Sequence, residues 1–302
     1  MTGVADLPLS TPVEFGTGLL RTRVVTVSET EFTWTRAVGE LAPDGFAAPA
    51  ATARALLGTV PAAGGVRLLP GHGEGDSRRY TVPGRESLAN RLLREGPGDR
   101  VAEAVHGVGA ALRALHAAVP DRHTSLGRPR GVARLGRWLE DATGVGYADE
   151  ARDLLTGRLG PRRWRLLDTW RAEHWEHAER VPSHGAPTFG AVVEGPEGTD
   201  AVLLTGEDLC SAPWTFDLGW VLGELVELRW QLGGSAARWQ ELVDALIGGY
   251  GRDPGDGWHR LAALRVALHL HDFTAYVGGT PAGVLSYADF LGFLIDLEGG
   301  VG

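Results

Sequence analysis

Ser183-His184-Gly185-Ala186-Pro187-Thr188-Phe189-Gly190-Ala191-Val192-Val193 is the stretch that decides how this chain is read. It is followed by Leu203-Leu204-Thr205-Gly206-Glu207-Asp208, and then by Phe216-Asp217-Leu218-Gly219-Trp220-Val221-Leu222. The first segment is a polar turn running into an apolar strand. The second is an apolar strand that ends in an acidic turn. The third places Asp217 in an otherwise apolar run.

Working outward, the N-terminal third reads as strands. Residues 1–20 are rich in Pro, Gly and Thr and form an arm or a first strand. Arg21–Val27 and Glu31–Val38 alternate in the β manner, with Val24, Val25, Val27, Phe32, Trp34 and Val38 as their β-branched and aromatic positions. Ser28-Glu29-Thr30 between them predicts a hairpin. Ala47–Leu57 predicts a helix ending at Gly58. Val66–Leu69 and Arg79–Val82 predict short strands around a glycine-rich turn. Tyr80-Thr81-Val82-Pro83-Gly84-Arg85-Glu86-Ser87-Leu88 predicts a strand, a turn and a helix start. Asp99–Ala118 carries Val101, Val105, Val108, Leu112 and Leu115 at helical spacing and closes on Leu115-His116. Leu166–Arg180 predicts a helix leading into the opening stretch. After Leu222 the pattern is helical, broken at Gly233-Gly234, Gly251–Gly257 and Gly278-Gly279.

These three features, the loop around His184, the Pro83-Gly84 hinge and the Leu115-His116 helix end, resemble the aminoglycoside phosphotransferase family, the antibiotic-kinase branch of the protein-kinase-like fold. The resemblance covers roughly residues 20–290. It implies an α+β, bilobal fold with a small β-rich N-lobe, residues 1–83, and a larger, mostly helical C-lobe, residues 84–302. In active members the Asp after His-Gly accepts a proton from the attacking hydroxyl; the matching position here is Ala186. An Asn five residues later helps to hold a metal, and here that position is Ala191. The Asp of the next segment chelates magnesium, and it aligns with Thr205, whose neutral hydroxyl is a poor ligand for a hard dication. His184 and Asp217 are retained, and in the family both are structural.

The chain has no lysine among its 29 basic residues. No residue can therefore be the phosphate-gripping strand lysine of kinases, and none can form a Schiff base. Arg36 is the nearest strand cation, and Ala47–Leu57 offers it no acidic partner. Base, both metal positions and lysine are absent together, so efficient phosphoryl transfer is not expected.

Composition narrows the remaining classes. A content of 43% hydrophobic and 22% charged residues is ordinary for a globular protein. The net charge of −9 argues against general nucleic-acid binding. Cys210 is the single cysteine and cannot pair within the chain, which fits a cytoplasmic protein. Met1–Leu7 lacks the basic and apolar regions of a signal peptide, and no apolar run approaches the ~20 residues of a membrane span. His174, His177 and His184 have a spacing that permits zinc. Ten histidines place some such pairs by chance, so no metal and no cofactor is expected.

Three functions from different classes stay open. The first is a degenerate, pseudokinase-like protein that binds a precursor peptide. Such relatives are found in thioamitide and class V lanthipeptide maturation, beside an active kinase homologue and a lyase. The resemblance implies a scaffold for those enzymes or a cyclase for thioether formation, which needs an acid, a base and oxyanion donors. His184, Glu207, Asp208 and Tyr80 are the candidate groups. The second is an active phosphotransferase with rearranged metal ligands, Glu207 and Asp208 among them. The third is an interaction protein using the arginines of residues 121–137 (Arg122, Arg128, Arg130, Arg134, Arg137) and of residues 158–165.

Overall fold

The computed structural model describes residues 11–46, 51–141, 145–173, 179–196, 198, 200–206 and 208–297. The fold is α+β. Its strands gather in the N-terminal region and its helices in the C-terminal region.

Strands β1 (Val13–Gly16), β2 (Leu20–Thr26) and β3 (Phe32–Val38) form an antiparallel meander. Helix α1 (Ala51–Thr59) follows, then β4 (Val66–Pro70), β5 (His72–Glu74) and β6 (Ser77–Val82). The larger sheet has the order β1-β2-β3-β6-β5. The hairpin register opposes Val24 to Trp34, and β3 in turn opposes Trp34 to Tyr80. Val24, Trp34 and Tyr80 therefore share one face of the sheet, and all three are buried. The short edge strands β1 and β5 keep the exposed ladder small.

The helical part starts with α2 (Leu88–Glu95), whose first turn is capped by the Ser87 hydroxyl accepting from Asn90 N–H. It continues with α3 (Asp99–His116), α4 (Arg130–Glu140) and α5 (Ala148–Glu173). Helix α5 kinks at Gly160-Pro161, where Gly160 takes a φ of 74° and the proline removes a ladder donor. Strands β7 (Arg180–Ser183), β8 (Val192–Glu194), β9 (Ala201–Thr205) and β10 (Cys210–Pro213) come next. Four helices complete the described chain: α6 (Thr215–Leu232), α7 (Ala236–Tyr250), α8 (Trp258–Tyr276) and α9 (Pro281–Asp296). They are separated where the glycine breaks were expected.

One expectation is corrected. The segment Leu166–Arg180 is not one helix: α5 ends at Glu173, and Arg180 already belongs to β7. Cys210 begins β10, paired with Ser183 of β7. Both strands are four residues long and contain proline, so no local pattern announces them. They exist because pairing across the fold holds them, in a two-stranded ribbon where proline costs no second ladder.

The two regions are stitched together. Strand β4 runs parallel to β9, from Val66↔Ala201 to Pro70↔Thr205, and β8 closes the other side of β9. One apolar cluster runs from Trp34 and Tyr80 through Val105 and Leu112 to Leu203 and Leu246. A second lies mostly among the later helices, around Trp138, Leu155, Phe216, Leu264 and Leu291, and takes in Cys210 and Ala212 of β10. The change from strands to helices at Pro83-Gly84 is thus a change of secondary structure across a shared core. Among the described residues, no helix is long and apolar enough to cross a membrane.

Candidate functional site

The loop after β7 is held by one carboxylate. Asp217, in the first turn of α6, is fully buried. It accepts the backbone N–H of His184 at 2.7 Å and of Gly185 at 3.0 Å. It also pairs with His116 Nε2 at 3.0 Å, while His116 Nδ1 meets the Tyr250 hydroxyl at 2.9 Å. Burial pushes the Asp217 carboxyl up, but the His116 bond, the neighbouring histidines and the Gly185 N–H outweigh it. The group stays below the ordinary carboxylate range. Gly185 takes a φ of 86°, and a Cβ there would lie 1.9 Å from Asp208 O. Only glycine permits that approach.

His184 is spent on structure. Its Nε2 lies 3.0 Å from Leu204 O, and its Nδ1 faces the Ala186 N–H at 3.4 Å. Both contacts are met at once if Nε2 carries the proton and Nδ1 accepts. The ring is buried, with no nitrogen left over.

The positions matched to kinase chemistry are disposed differently from one another. Ala186 lines the cleft between the strand-rich and helical regions. Ala191 does not: it closes the short 3-10 turn Phe189–Ala191 and packs in the core beside Val192 and Leu203. The space around Ala191 is therefore filled by the core. The Thr205 hydroxyl is buried and donates back to Leu203 O at 3.1 Å. Arg36 reaches across from β3 and donates to Gly190 O at 3.0 Å.

Trp34 lies two residues before Arg36, so both project from the same face of β3. Its indole N–H donates to Gly84 O of the hinge at 3.1 Å, and the side chain is 1% exposed. Gly84 itself is pressed against the helical region: a Cβ there would meet Glu194 O at 1.9 Å. Tryptophan and arginine together occupy the space between β3, the hinge and the Phe189–Ala191 turn.

An open part of the cleft, about 270 Å³, is lined by Ala186. Leu19, Leu20 and the segment Ala42–Phe46 form one wall. Helices α4 and α8 and the loop residues Ala186 and Asp208 form the other. Of the expected groups, Asp208 lines this space. Tyr80 is 3% exposed and sits under the Gly206 turn, its hydroxyl 3.3 Å from where a Gly206 Cβ would be. Glu207, and with it His174 and His177, lies outside the described residues. Of the three described groups, Asp208 opens on the cleft, whereas His184 and Tyr80 are held inside the fold.

Sequence reading missed two buried carboxylates of α6. Glu224 of α6 accepts from the Thr188 hydroxyl at 2.7 Å and from Phe189 N–H at 3.0 Å. One turn on, Glu227 receives Arg265, His269 and the Tyr287 hydroxyl. Two acids three apart in the apolar run Gly223-Glu224-Leu225-Val226-Glu227 were a legible signal, since unpaired carboxylates are rarely buried. Arg134 grips Asp272 through both nitrogens, at 2.8 and 2.6 Å. Arg130 reaches Asp44 of the opposite wall at 3.7 Å. In the 158–165 run, Arg158 and Arg163 are paired with Asp289 and Asp296 of α9. Among the described residues no group of three His, Cys, Asp or Glu could hold a metal. The Cys210 thiol is buried, and burial with the charges of Asp217 and Asp208 pushes its pKa far up.

No protein-family model and no curated protein matches the chain. Solved structures do. A choline/ethanolamine kinase family protein from Mesorhizobium loti aligns over 97% of this chain and 88% of its own, with a TM-score of 0.54 at 18% identity. Choline kinase LicA from Streptococcus pneumoniae aligns over 96% and 95%, with a TM-score of 0.56 at 10% identity. A thermostable mutant of aminoglycoside phosphotransferase APH(4)-Ia, solved with ADP and hygromycin B, aligns over 97% and 95%, with a TM-score of 0.53 at 12% identity. The fold is the choline kinase and aminoglycoside phosphotransferase fold.

Proposed function

We propose that this chain is a kinase-fold protein that does not transfer phosphate and whose open cleft binds a peptide. The observation that carries the reading is Ala186: a methyl group faces the cleft where the resemblance expects the proton acceptor. A general base contributes about two to four orders of magnitude in rate, and an alanine contributes none. Two further features support it. The Thr205 hydroxyl is turned into its own strand, away from any dication. Trp34 and Arg36 fill the space beside the hinge. An active phosphotransferase with rearranged ligands is not favoured.

The cleft suits a peptide because its walls mix leucines with fixed charges at Asp44, Arg130 and Asp208. By resemblance, the ligand to try is a dehydrated ribosomal precursor peptide. The role is then scaffolding for companion kinase and lyase proteins, or promotion of thioether closure. With His184 and Tyr80 held inside the fold, scaffolding is the form that needs fewest groups. Calorimetric titration with Mg-ATP at millimolar concentration is the first test: no heat is expected, and magnesium-dependent binding would sink the reading. Incubation with dehydrated peptide separates the two roles. Binding without change supports a scaffold, cyclised product supports a cyclase, and no binding rejects the peptide.

A further inference from the structure

The cleft has no acid or base at residue 186, yet one of its walls carries an imidazole in a defined orientation. His269 of α8 lines the space that Ala186 lines. Its Nδ1 contacts Glu227 Oε1, and the Glu227 side chain is only 2% exposed. That carboxylate is fully engaged. Oε1 also accepts the Tyr287 hydroxyl at 2.8 Å, and Oε2 receives the Arg265 guanidinium. An ionised carboxylate can only accept, so Nδ1 must be the protonated nitrogen. The proton on Nδ1 leaves the lone pair on Nε2. Nε2 has no hydrogen-bond partner among the described residues, and the side chain is 42% exposed.

We propose that His269, oriented by Glu227, is the proton-accepting group of the cleft, acting on a hydroxyl or thiol presented by a bound ligand. The inference deepens the binding role given above and rests on the same cleft. The step is a proton transfer: the ligand X–H bond breaks, an N–H bond forms at Nε2, and the electron pair stays on X. Glu227 faces the positive ring that results. The proton acceptor has moved from the loop to a helix of the same wall.

The groups around the ring fix its protonation. Burial and the Arg265 charge beside it lower the His269 pKa to about 4, against the opposing charges of Glu224 and Asp272. Asp272 is itself held by Arg134 of α4, and Tyr287 of α9 faces Glu227 as a neutral donor. The imidazole is therefore unprotonated across the neutral range.

The test uses the full chain without ligand, so its failure is distinct from a failure of the peptide reading. In the 15N spectrum of histidine-labelled protein, with His269→Gln supplying the assignment, His269 is expected as the Nδ1–H tautomer. Diethyl pyrocarbonate, which acylates an unprotonated accessible imidazole, is then applied and the modified histidines are mapped by mass spectrometry. An ordinary imidazole of pKa ~6.5 loses about ten-fold in rate between pH 7.5 and 5.5. His269 is expected to react and, with its pKa lowered to about 4, to lose less than about 1.2-fold over the same interval. An Nε2–H tautomer, or a His269 that stays unmodified while exposed histidines react, would overturn the proposal.

Discussion

Replacing Trp34 tests whether the hinge is closed by the protein's own side chain. The indole is 1% exposed, donates to Gly84 O at 3.1 Å and meets Phe15 edge-on with ring centres 5.9 Å apart. Truncation of a buried Trp to Ala costs about 3–5 kcal/mol in transfer and cavity terms. The orphaned Gly84 carbonyl adds about 1 kcal/mol or more, limited because water can enter the space left behind. Trp34→Phe keeps most of the packing and loses the hydrogen bond, so it should cost about 1–2 kcal/mol. The two losses are read from urea denaturation followed by far-UV circular dichroism, with unchanged slopes. Adding Mg-ADP to each sample extends the test. A ligand at a hundred times its Kd stabilises by about 2.7 kcal/mol, and none of that is expected in the parent protein. A Trp34→Ala loss under about 1 kcal/mol, or nucleotide stabilisation of the parent, would refute the idea of a plugged hinge.

The remaining predictions concern the supports of the cleft. Asp217→Ala removes the acceptor for two backbone donors and His116, and should cost about 3–5 kcal/mol at pH 7. Because the folded carboxyl is held below its unfolded value, its contribution is present above pH ~4 and is lost as pH falls through the lower folded value. The gap between variant and parent in an acid titration should therefore close only below that point. Gly84→Ala places a methyl 1.9 Å from Glu194 O, and a fall in melting temperature corresponding to about 1–3 kcal/mol is expected from overpacking. Cys210 should be silent to a thiol-specific chromogenic disulfide in the native protein and react fully in urea, since the thiol is buried and its pKa pushed up. Reaction of the native protein at the rate of a free thiol would contradict its placement on β10.

Much of the fold was legible because local signals agreed with it. The alternation of Val24, Phe32 and Trp34, the Ser87 cap and the glycine breaks at 233, 251 and 278 each state an element in its own residues. The side chains of Ala186 and Ala191 were legible in the same way, as groups that can neither ligate a metal nor exchange a proton in any fold. The charged network was not legible in the same way. Glu224 and Glu227 show their spacing on α6, but their partners Arg265, His269 and Tyr287 lie 38 to 60 residues away. Which groups stand open is likewise a matter of packing: His184 and Tyr80 turn inward, and Asp208 and His269 line the cleft.

The sequence by itself determined the order of elements and which positions hold no reactive group, because propensity, turn chemistry and side-chain identity are local properties. Only the tertiary structure decided that Trp34 closes on Gly84, that β7 and β10 exist as a pair, and that one imidazole is aimed into the cleft. Those outcomes depend on contacts between distant residues, and on burial that no single segment can set.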